Sequence, residues 1–67
     1  MKIGELLKIL RGDVTLRELE EKTGLSNAYL SQLEHGKVKS PSVDAVKKLC
    51  EAFPNHKTMI LKSVGLL

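Results

Sequence analysis

Apolar residues recur at helical spacing along this chain. In the first ten positions, Ile3, Leu6, Leu7 and Leu10 fall at i, i+3, i+4 and i+7, which is one face of a helix. No segment alternates with the period of two that a half-buried strand requires. The pattern predicts an all-α fold with five helices. Their expected bounds are 3–11, about 16–23, about 27–34, from a Ser42 cap to about 53, and about 56–64.

The second and third predicted helices have clear start and stop signals. Thr15 and Glu18 have the spacing of a capping box, and Ser26 is a suitable cap for the third helix. Gly24 lies between them, where the chain needs a left-handed residue to end a helix. Two helices joined by a three- or four-residue turn with glycine form a helix-turn-helix, whose second helix enters the major groove of DNA. Residues 15–36 therefore predict this motif.

The third helix is expected to have a polar outer face. At about 100° per residue, five positions share the arc opposite the buried leucines. They are Asn27, Ala28, Ser31, Gln32 and His35. This arc contains no large apolar residue and no carboxylate, which suits contact with base edges and phosphates. A merely solvated helix face is the alternative. The basic segment KVKSP, residues 37–41, follows directly.

The last third of the chain is rich in apolar positions. In the fourth helix they are expected to form one stripe of Val43, Val46, Leu49, Cys50 and Phe53. Beyond it, Met59, Ile60, Leu66 and Leu67 exceed what a fifth helix needs for its own core. We expect some of these to form a self-complementary dimer surface. The alternative is that all of them fold back on the fourth helix.

Length and composition narrow the class of protein. The 67 residues are expected to form a single domain, 1–67, with a limited core. A net charge of +3 is a weak signal for nucleic acid, and one tyrosine and one phenylalanine argue against stacking on single-stranded bases. The amphipathic start MKIGELLKIL is not expected to be a signal peptide, and no apolar run is long enough to span a membrane. A cytoplasmic protein, nucleoid-associated when bound to DNA, is expected.

Nothing in the sequence predicts catalysis. The single Cys50 allows no internal disulfide, is expected in the core, and has no metal-ligand spacing with His35 or His56, which are expected on the surface. No nucleophile–base pair or glycine-rich phosphate loop is readable. We expect no enzyme activity, no cofactor, no metal and no small-molecule ligand.

The segment GLSNAYLSQLEHGKVKSPSVDAVKKLCEAF resembles the Xre/Cro-type helix-turn-helix domain, found in phage repressors and many bacterial and archaeal regulators. The resemblance covers nearly the whole chain. It depends on the spacing of Leu19, Gly24, Leu30, Leu33, Glu34-x-Gly36-Lys37 and Pro41-Ser42. It implies a compact five-helix bundle, with the motif formed by helices 2 and 3, that binds double-stranded DNA, usually as a symmetric homodimer.

Site residues follow from the resemblance and from the exposed arc together. Expected base contacts are Asn27, Ala28, Ser31 and Gln32. Expected phosphate contacts are Thr15, Arg17, Ser26, Tyr29, His35, Lys37, Lys39 and Ser42. The resemblance also implies an Arg11–Glu34 pair that joins the first helix to the third. Glu20 occupies a position that is commonly alanine, so we expect either its side chain to extend outward or the two motif helices to splay slightly.

The sequence thus predicts a sequence-specific DNA-binding transcriptional regulator, which is expected to bind a pseudo-palindromic site as a dimer. A protein of a different class is the alternative. It would be a protein-interaction module, such as an antitoxin-like or partner-anchoring domain, favoured by the apolar residues at the end of the chain.

Overall fold

The computed structural model describes residues 1–67 and is all-helical, as predicted. The helices are α1 (Ile3–Arg11), α2 (Leu16–Thr23), α3 (Asn27–Glu34), α4 (Val43–Ala52) and α5 (Lys57–Ser63), with a short 3₁₀ turn at Pro54–His56. The predicted fifth helix is thus slightly too long, because Pro54, whose fixed φ suits the first position of a helical turn, opens a separate 3₁₀ turn. None of the helices has the length and apolarity needed to cross a bilayer.

The core is built from all five helices and centres on α3. Leu30 and Leu33 of α3 have no exposed surface, and α3 packs against α1 and α2 while α4 packs against α2 and α5. Cys50 is a buried free thiol, as predicted. Lys22 Nζ lies 4.8 Å from the centre of the Phe53 ring, a cation–π contact between the ends of α2 and α4. Because one side of α3 is fully buried, its opposite arc faces outward.

Gly4 sets the distance between α1 and α3. It is buried, and a Cβ atom at this position would overlap the Leu33 carbonyl oxygen and crowd Glu34 Cα. Both obstacles are backbone atoms, so a rotamer change cannot relieve them. The apolar spacing of α1 could not predict this contact, since it depends on where α3 lies in three dimensions.

Gly24 ends α2, as predicted. It has φ 80° and ψ 5°, the left-handed conformation, and its N–H donates to the Glu20 carbonyl at 2.7 Å. The sequence did not reveal the role of its neighbour Thr23, which is buried. The Thr23 hydroxyl donates to the Leu19 carbonyl at 2.8 Å and accepts from the Leu25 N–H at 3.1 Å. These bonds fix the turn that positions α3.

Two expectations about apolar residues were wrong. Val43 does not belong to the buried stripe of α4, because it is the first residue of that helix and is 69% exposed. Ile60 is only 1% exposed and cannot contribute to a dimer surface. It is buried because α5 packs against both α1 and α4, and its inward face fills the space between them.

Candidate nucleic-acid interface

The outer arc of α3 forms a polar surface over a rigid base. Asn27, Ala28, Gln32 and His35 are exposed, whereas Ser31 is half-buried. Leu30 and Leu33 on the opposite side are completely buried, so this arc cannot rotate without opening the core. Side chains on this surface are therefore presented in a fixed orientation.

Several of the expected phosphate contacts lie at the capped N-termini of α2, α3 and α4. The Ser26 hydroxyl accepts from the Tyr29 N–H at 3.1 Å, and the Ser42 hydroxyl accepts from the Ala45 N–H at the same distance. Each cap satisfies one amide of its helix and leaves the first-turn amides before it without intrahelical partners. Such amides, at the positive end of a helix, are suited to binding phosphate.

At the start of α2, the capping box occupies the Thr15 hydroxyl. This hydroxyl accepts from the Glu18 N–H at 3.1 Å and donates to Glu18 Oε1 at 3.0 Å, while the Thr15 N–H donates to the same carboxylate at 3.1 Å. The hydrogen bond from the Thr15 backbone N–H lowers the pKa of the Glu18 carboxyl, and the bond from the Thr15 hydroxyl lowers it to a lesser extent. The free donors at this end are therefore the Leu16 and Arg17 amides and the exposed Arg17 side chain.

The basic loop after α3 is anchored by a residue that sequence reasoning missed. Val38 is half-buried and packs against the core, whereas Lys37 and Lys39 on either side of it are exposed. The Lys37 N–H also donates to the Gln32 carbonyl at 2.9 Å. The two lysines are consequently held next to the end of α3. An apolar residue between two lysines was the available signal for this anchor.

Two expected phosphate contacts have intramolecular roles. Tyr29 is half-buried and its side chain packs against the core. His35 Nδ1 lies 2.7 Å from the Ser31 carbonyl oxygen, which can only accept, so the hydrogen of the neutral ring belongs on Nδ1. The Nε2 atom of that neutral ring is then an acceptor.

The Arg11–Glu34 pair implied by the resemblance is present. Arg11 Nε donates to Glu34 Oε2 at 2.7 Å and Arg11 Nη2 donates to Oε1 at 2.8 Å, a bidentate contact to a glutamate whose side chain is 3% exposed. Arg11 Nη1 donates to the Val14 carbonyl at 2.9 Å and so closes the short connection to α2. The hydrogen bond to Glu34 is the main cause that raises the pKa of the Arg11 guanidinium. This group joins α1, its following turn and α3.

Glu20 has a partner that the sequence did not reveal. Its side chain is half-buried, and Oε1 accepts from Asn27 Nδ2 at 3.0 Å across the turn between α2 and α3. The outer arc of α3 contains no carboxylate of its own, but a carboxylate from α2 thus reaches its first residue.

An apolar groove lies between α4 and α5, on a side of the molecule that the sequence only partly identified. It has a volume of about 480 Å³, and we name it the α4–α5 surface after its apolar lining, Val43, Val46, Cys50, Leu61 and Leu66. Val43 and Leu66 are 69% and 55% exposed. A smaller depression shares Val43, Val46 and Leu66 and extends to Lys39. The groove therefore adjoins the basic loop.

The residues expected at a dimer surface do not form one patch. Leu66 lies in the groove, whereas Met59, 49% exposed, lies in a separate depression beside Met1 and Leu6. Leu67 is exposed at the end of the chain. Helical spacing cannot show this division, because it depends on which neighbour packs on each side of α5.

Comparison with known proteins identifies the family to which this chain belongs. The family model described as helix-turn-helix matches residues 3–57. The chain is similar to an uncharacterized HTH-type transcriptional regulator from Mycobacterium tuberculosis strain CDC 1551 / Oshkosh, and equally to one from strain ATCC 25618 / H37Rv. Each is 35% identical over 54 residues, which are 81% of this chain and 38% of the relative. No solved structure gives a significant match.

Proposed function

Because the chain belongs to the helix-turn-helix family, we propose that it is the DNA-binding part of a transcriptional regulator and reads a specific double-stranded site with α3 in the major groove. The observation that carries this proposal is the exposed polar arc of α3, backed by the buried Leu30 and Leu33. The names of the two relatives support a regulatory role. The chain spans 38% of the length of each relative, so the regulatory role is part of the proposal.

Affinity would come mainly from phosphate contacts. Exposed Lys37, Lys39 and Arg17 would displace counterions, while the amides at the starts of α2, α3 and α4 would fix the position of the backbone. Amide contacts carry no net charge, so they add affinity without steepening the salt dependence. This division of work suits a domain whose net charge is only +3.

Replacement of one lysine tests the phosphate contacts. Lys37→Ala should weaken binding to every duplex and reduce the slope of log affinity against log salt concentration by about one. Lys62→Ala is the matched control, because it removes the same charge from an exposed position on α5, beside Met59. Equal salt slopes for the two variants would contradict a phosphate contact by Lys37.

Specificity would come from Gln32 and its neighbours on the arc. Gln32 is exposed, and its amide can pair with N6 and N7 of adenine, which discriminates against other bases by about 1–3 kcal/mol. Ala28 has only a methyl group to offer, which suits a thymine methyl. Selection of bound duplexes from a random pool should give a defined site, and Gln32→Ala should lose discrimination at one position per half-site. A parent protein that selects no site would overturn the proposed function.

We further infer that the domain acts as a homodimer through the α4–α5 surface. One small module buries about 600–1,000 Å² on DNA, so two modules on a pseudo-palindrome would provide more selectivity. The rim of the groove carries Lys47 and Lys57 as well as Glu51, so a two-fold axis can bring opposite charges of two copies together. The domain measures 29 × 25 × 20 Å, which is compatible with two α3 helices about 34 Å apart.

The dimer inference has a direct test in solution. Leu66→Ser should raise the dissociation constant of the dimer in sedimentation equilibrium, because it removes exposed apolar surface from the groove. Met59→Ser is the control, since Met59 is similarly exposed but lies outside the groove. A parent that stays monomeric at high micromolar concentration, with and without DNA, would contradict the inference.

The α4–α5 surface also supports the second candidate function, a module that grips another protein. In that case the chain would co-purify with a stoichiometric partner and would not be retained on DNA at low salt. A DNA-binding role would instead place the protein in the cytoplasm with the chromosome, and retention on random duplex at low salt would favour it.

A further inference from the structure

The contact between Glu20 and Asn27 fixes the chemistry that Asn27 can present. A carboxylate has only acceptor atoms, so the side-chain nitrogen of Asn27, and not its oxygen, must face Glu20 Oε1 at 3.0 Å. Rotation of the amide by 180° would bring Oδ1 against the carboxylate, with no hydrogen between two acceptors. The orientation of this amide is therefore determined by Glu20.

The fixed amide leaves a defined edge for a ligand. Asn27 is exposed, and its Oδ1 atom accepts no hydrogen bond within the chain. One of the two Nδ2 hydrogens is used by Glu20, and the second remains available to a ligand. The outward edge thus offers one acceptor and one donor in a single order.

Bases in the major groove differ in how well they match this edge. Adenine presents an N6 amino group and the N7 acceptor, which satisfy Oδ1 and the remaining Nδ2 hydrogen together. Cytosine presents an N4 amino group, which satisfies Oδ1, whereas guanine and thymine present only acceptors, which can accept from the Nδ2 hydrogen but leave Oδ1 without a donor. An asparagine free to rotate could present its nitrogen in place of Oδ1 to those acceptors, but this one cannot do so without losing its bond to Glu20.

We propose that Glu20 is a specificity-determining residue. By accepting from Asn27 Nδ2, it directs Asn27 Oδ1 toward the DNA and selects a base with an exocyclic amino group, adenine above cytosine. Glu20 is a positioning residue in this scheme and acts through Asn27. The inference rests on the proposed DNA-binding function.

The chain provides a close control for the charge of Glu20. Glu21 is the next residue of α2, is exposed, and makes no side-chain hydrogen bond or salt bridge. Glu20→Gln and Glu21→Gln therefore remove the same charge from adjacent positions, and both should change general affinity for duplex DNA. Only Glu20→Gln replaces the acceptor-only partner of Asn27 with an amide that tolerates either orientation of the asparagine.

Duplex selection from a random pool, with the parent and each variant, tests the proposal. The Asn27→Ala variant first identifies the position that Asn27 reads. We expect adenine or cytosine there in the parent, and in Glu20→Gln a preference for amino-bearing bases reduced about fivefold or more. Glu20→Ala, which offers no acceptor, should relax the same position. Glu21→Gln should keep the parental preference, and Glu20→Gln should have no further effect on that position in an Asn27→Ala background.

The outcomes separate this inference from the function beneath it. A parent that selects no site overturns DNA recognition itself, and the role of Glu20 with it. A parent that selects a site, with Glu20→Gln and Glu21→Gln equally specific, overturns only the role of Glu20. Guanine or thymine at the Asn27 position has the same consequence. Circular dichroism melting curves establish that the variants compared are folded.

Discussion

The α1–α3 contact and the α4–α5 surface are built from different helices and differ in packing and exposure. In the first, Gly4 lets two helix backbones touch, and the Arg11–Glu34 pair adds a bidentate bond at 2.7 and 2.8 Å. In the second, Val43 and Leu66 are more than half exposed and line an open groove. One contact is complete within the chain, and the other has unused apolar surface.

This difference separates the requirements of reading DNA from those of assembly. A recognition helix must keep its outer side chains in place, so its inner side is fixed by contacts that tolerate little change. An assembly surface must be able to form and dissociate, so its apolar side chains are left near solvent. Substitutions in the first region should therefore lower stability, whereas substitutions in the second should alter association and leave the fold intact.

The largest effect is expected at Arg11. Arg11→Ala leaves the Glu34 carboxylate buried without its bidentate partner, which should lower the free energy of unfolding by about 3 kcal/mol. Urea denaturation at one fixed protein concentration measures this. Arg17→Ala is the control, since Arg17 is exposed and loses the same charge. A loss as small as that of the control would mean that the α1–α3 contact does not depend on the ion pair.

Substitution of Gly4 is expected to lower the free energy of unfolding by a somewhat smaller amount. Gly4→Ala would force α1 away from α3, because the new methyl group overlaps the Leu33 carbonyl, and should cost about 2 kcal/mol. The same denaturation experiment applies, with a selection for DNA sites alongside it. Exposed Lys8 on α1 is the place for a control alanine. Unchanged stability would show that the helices can separate freely.

Substitution of Val43 should leave the stability of the monomer nearly unchanged and weaken association instead. Val43→Ser exposes no core atom, so the free energy of unfolding of the monomer should change by less than about 0.5 kcal/mol. The proposed dimer should have a higher dissociation constant, so that it dissociates at higher protein concentration than the parent dimer does, and sedimentation equilibrium measures this. A large loss of monomer stability, or an unchanged dimer, would remove the contrast between the two regions.

The smallest effect concerns the pH dependence of the cap of α2. Hydrogen bonds from Thr15 hold the pKa of Glu18 below its ordinary value of 4.5, so this carboxylate stabilises the fold above that value. The contribution should disappear as the pH falls through the lowered pKa. Melting temperatures between neutral and acidic pH should therefore converge for the parent and Glu18→Gln at the acidic end. Parallel curves over the whole range would contradict this role.

Local signals predicted much of the fold. The spacing of Ile3, Leu6 and Leu7, the Thr15–Glu18 box and Gly24 are signals contained within a few residues of the sequence, and the structure agrees with the helices that they predict. Features that depend on packing between distant segments could not be predicted from the sequence. Gly4 against Leu33, Val38 as the loop anchor and the burial of Ile60 all depend on the final positions of two helices.

The candidate site was predictable to a similar degree. The exposed arc of α3 follows from helical periodicity, and the resemblance implied the Arg11–Glu34 pair that the structure contains. The Glu20–Asn27 bond was missed because the two residues belong to different helices, and only the turn between them brings their side chains within 3.0 Å. Which of these residues meet DNA stays a prediction.

Gly4 also has a consequence for genetic experiments. It makes no part of the proposed interface, yet any side chain there would displace α3 through its backbone. In a screen of all single substitutions for reporter repression or activation, position 4 should accept almost nothing and score like a base-contacting residue. A map of function drawn from such a screen alone would assign this buried glycine to the DNA surface, and a parallel measurement of protein abundance would be needed to remove it.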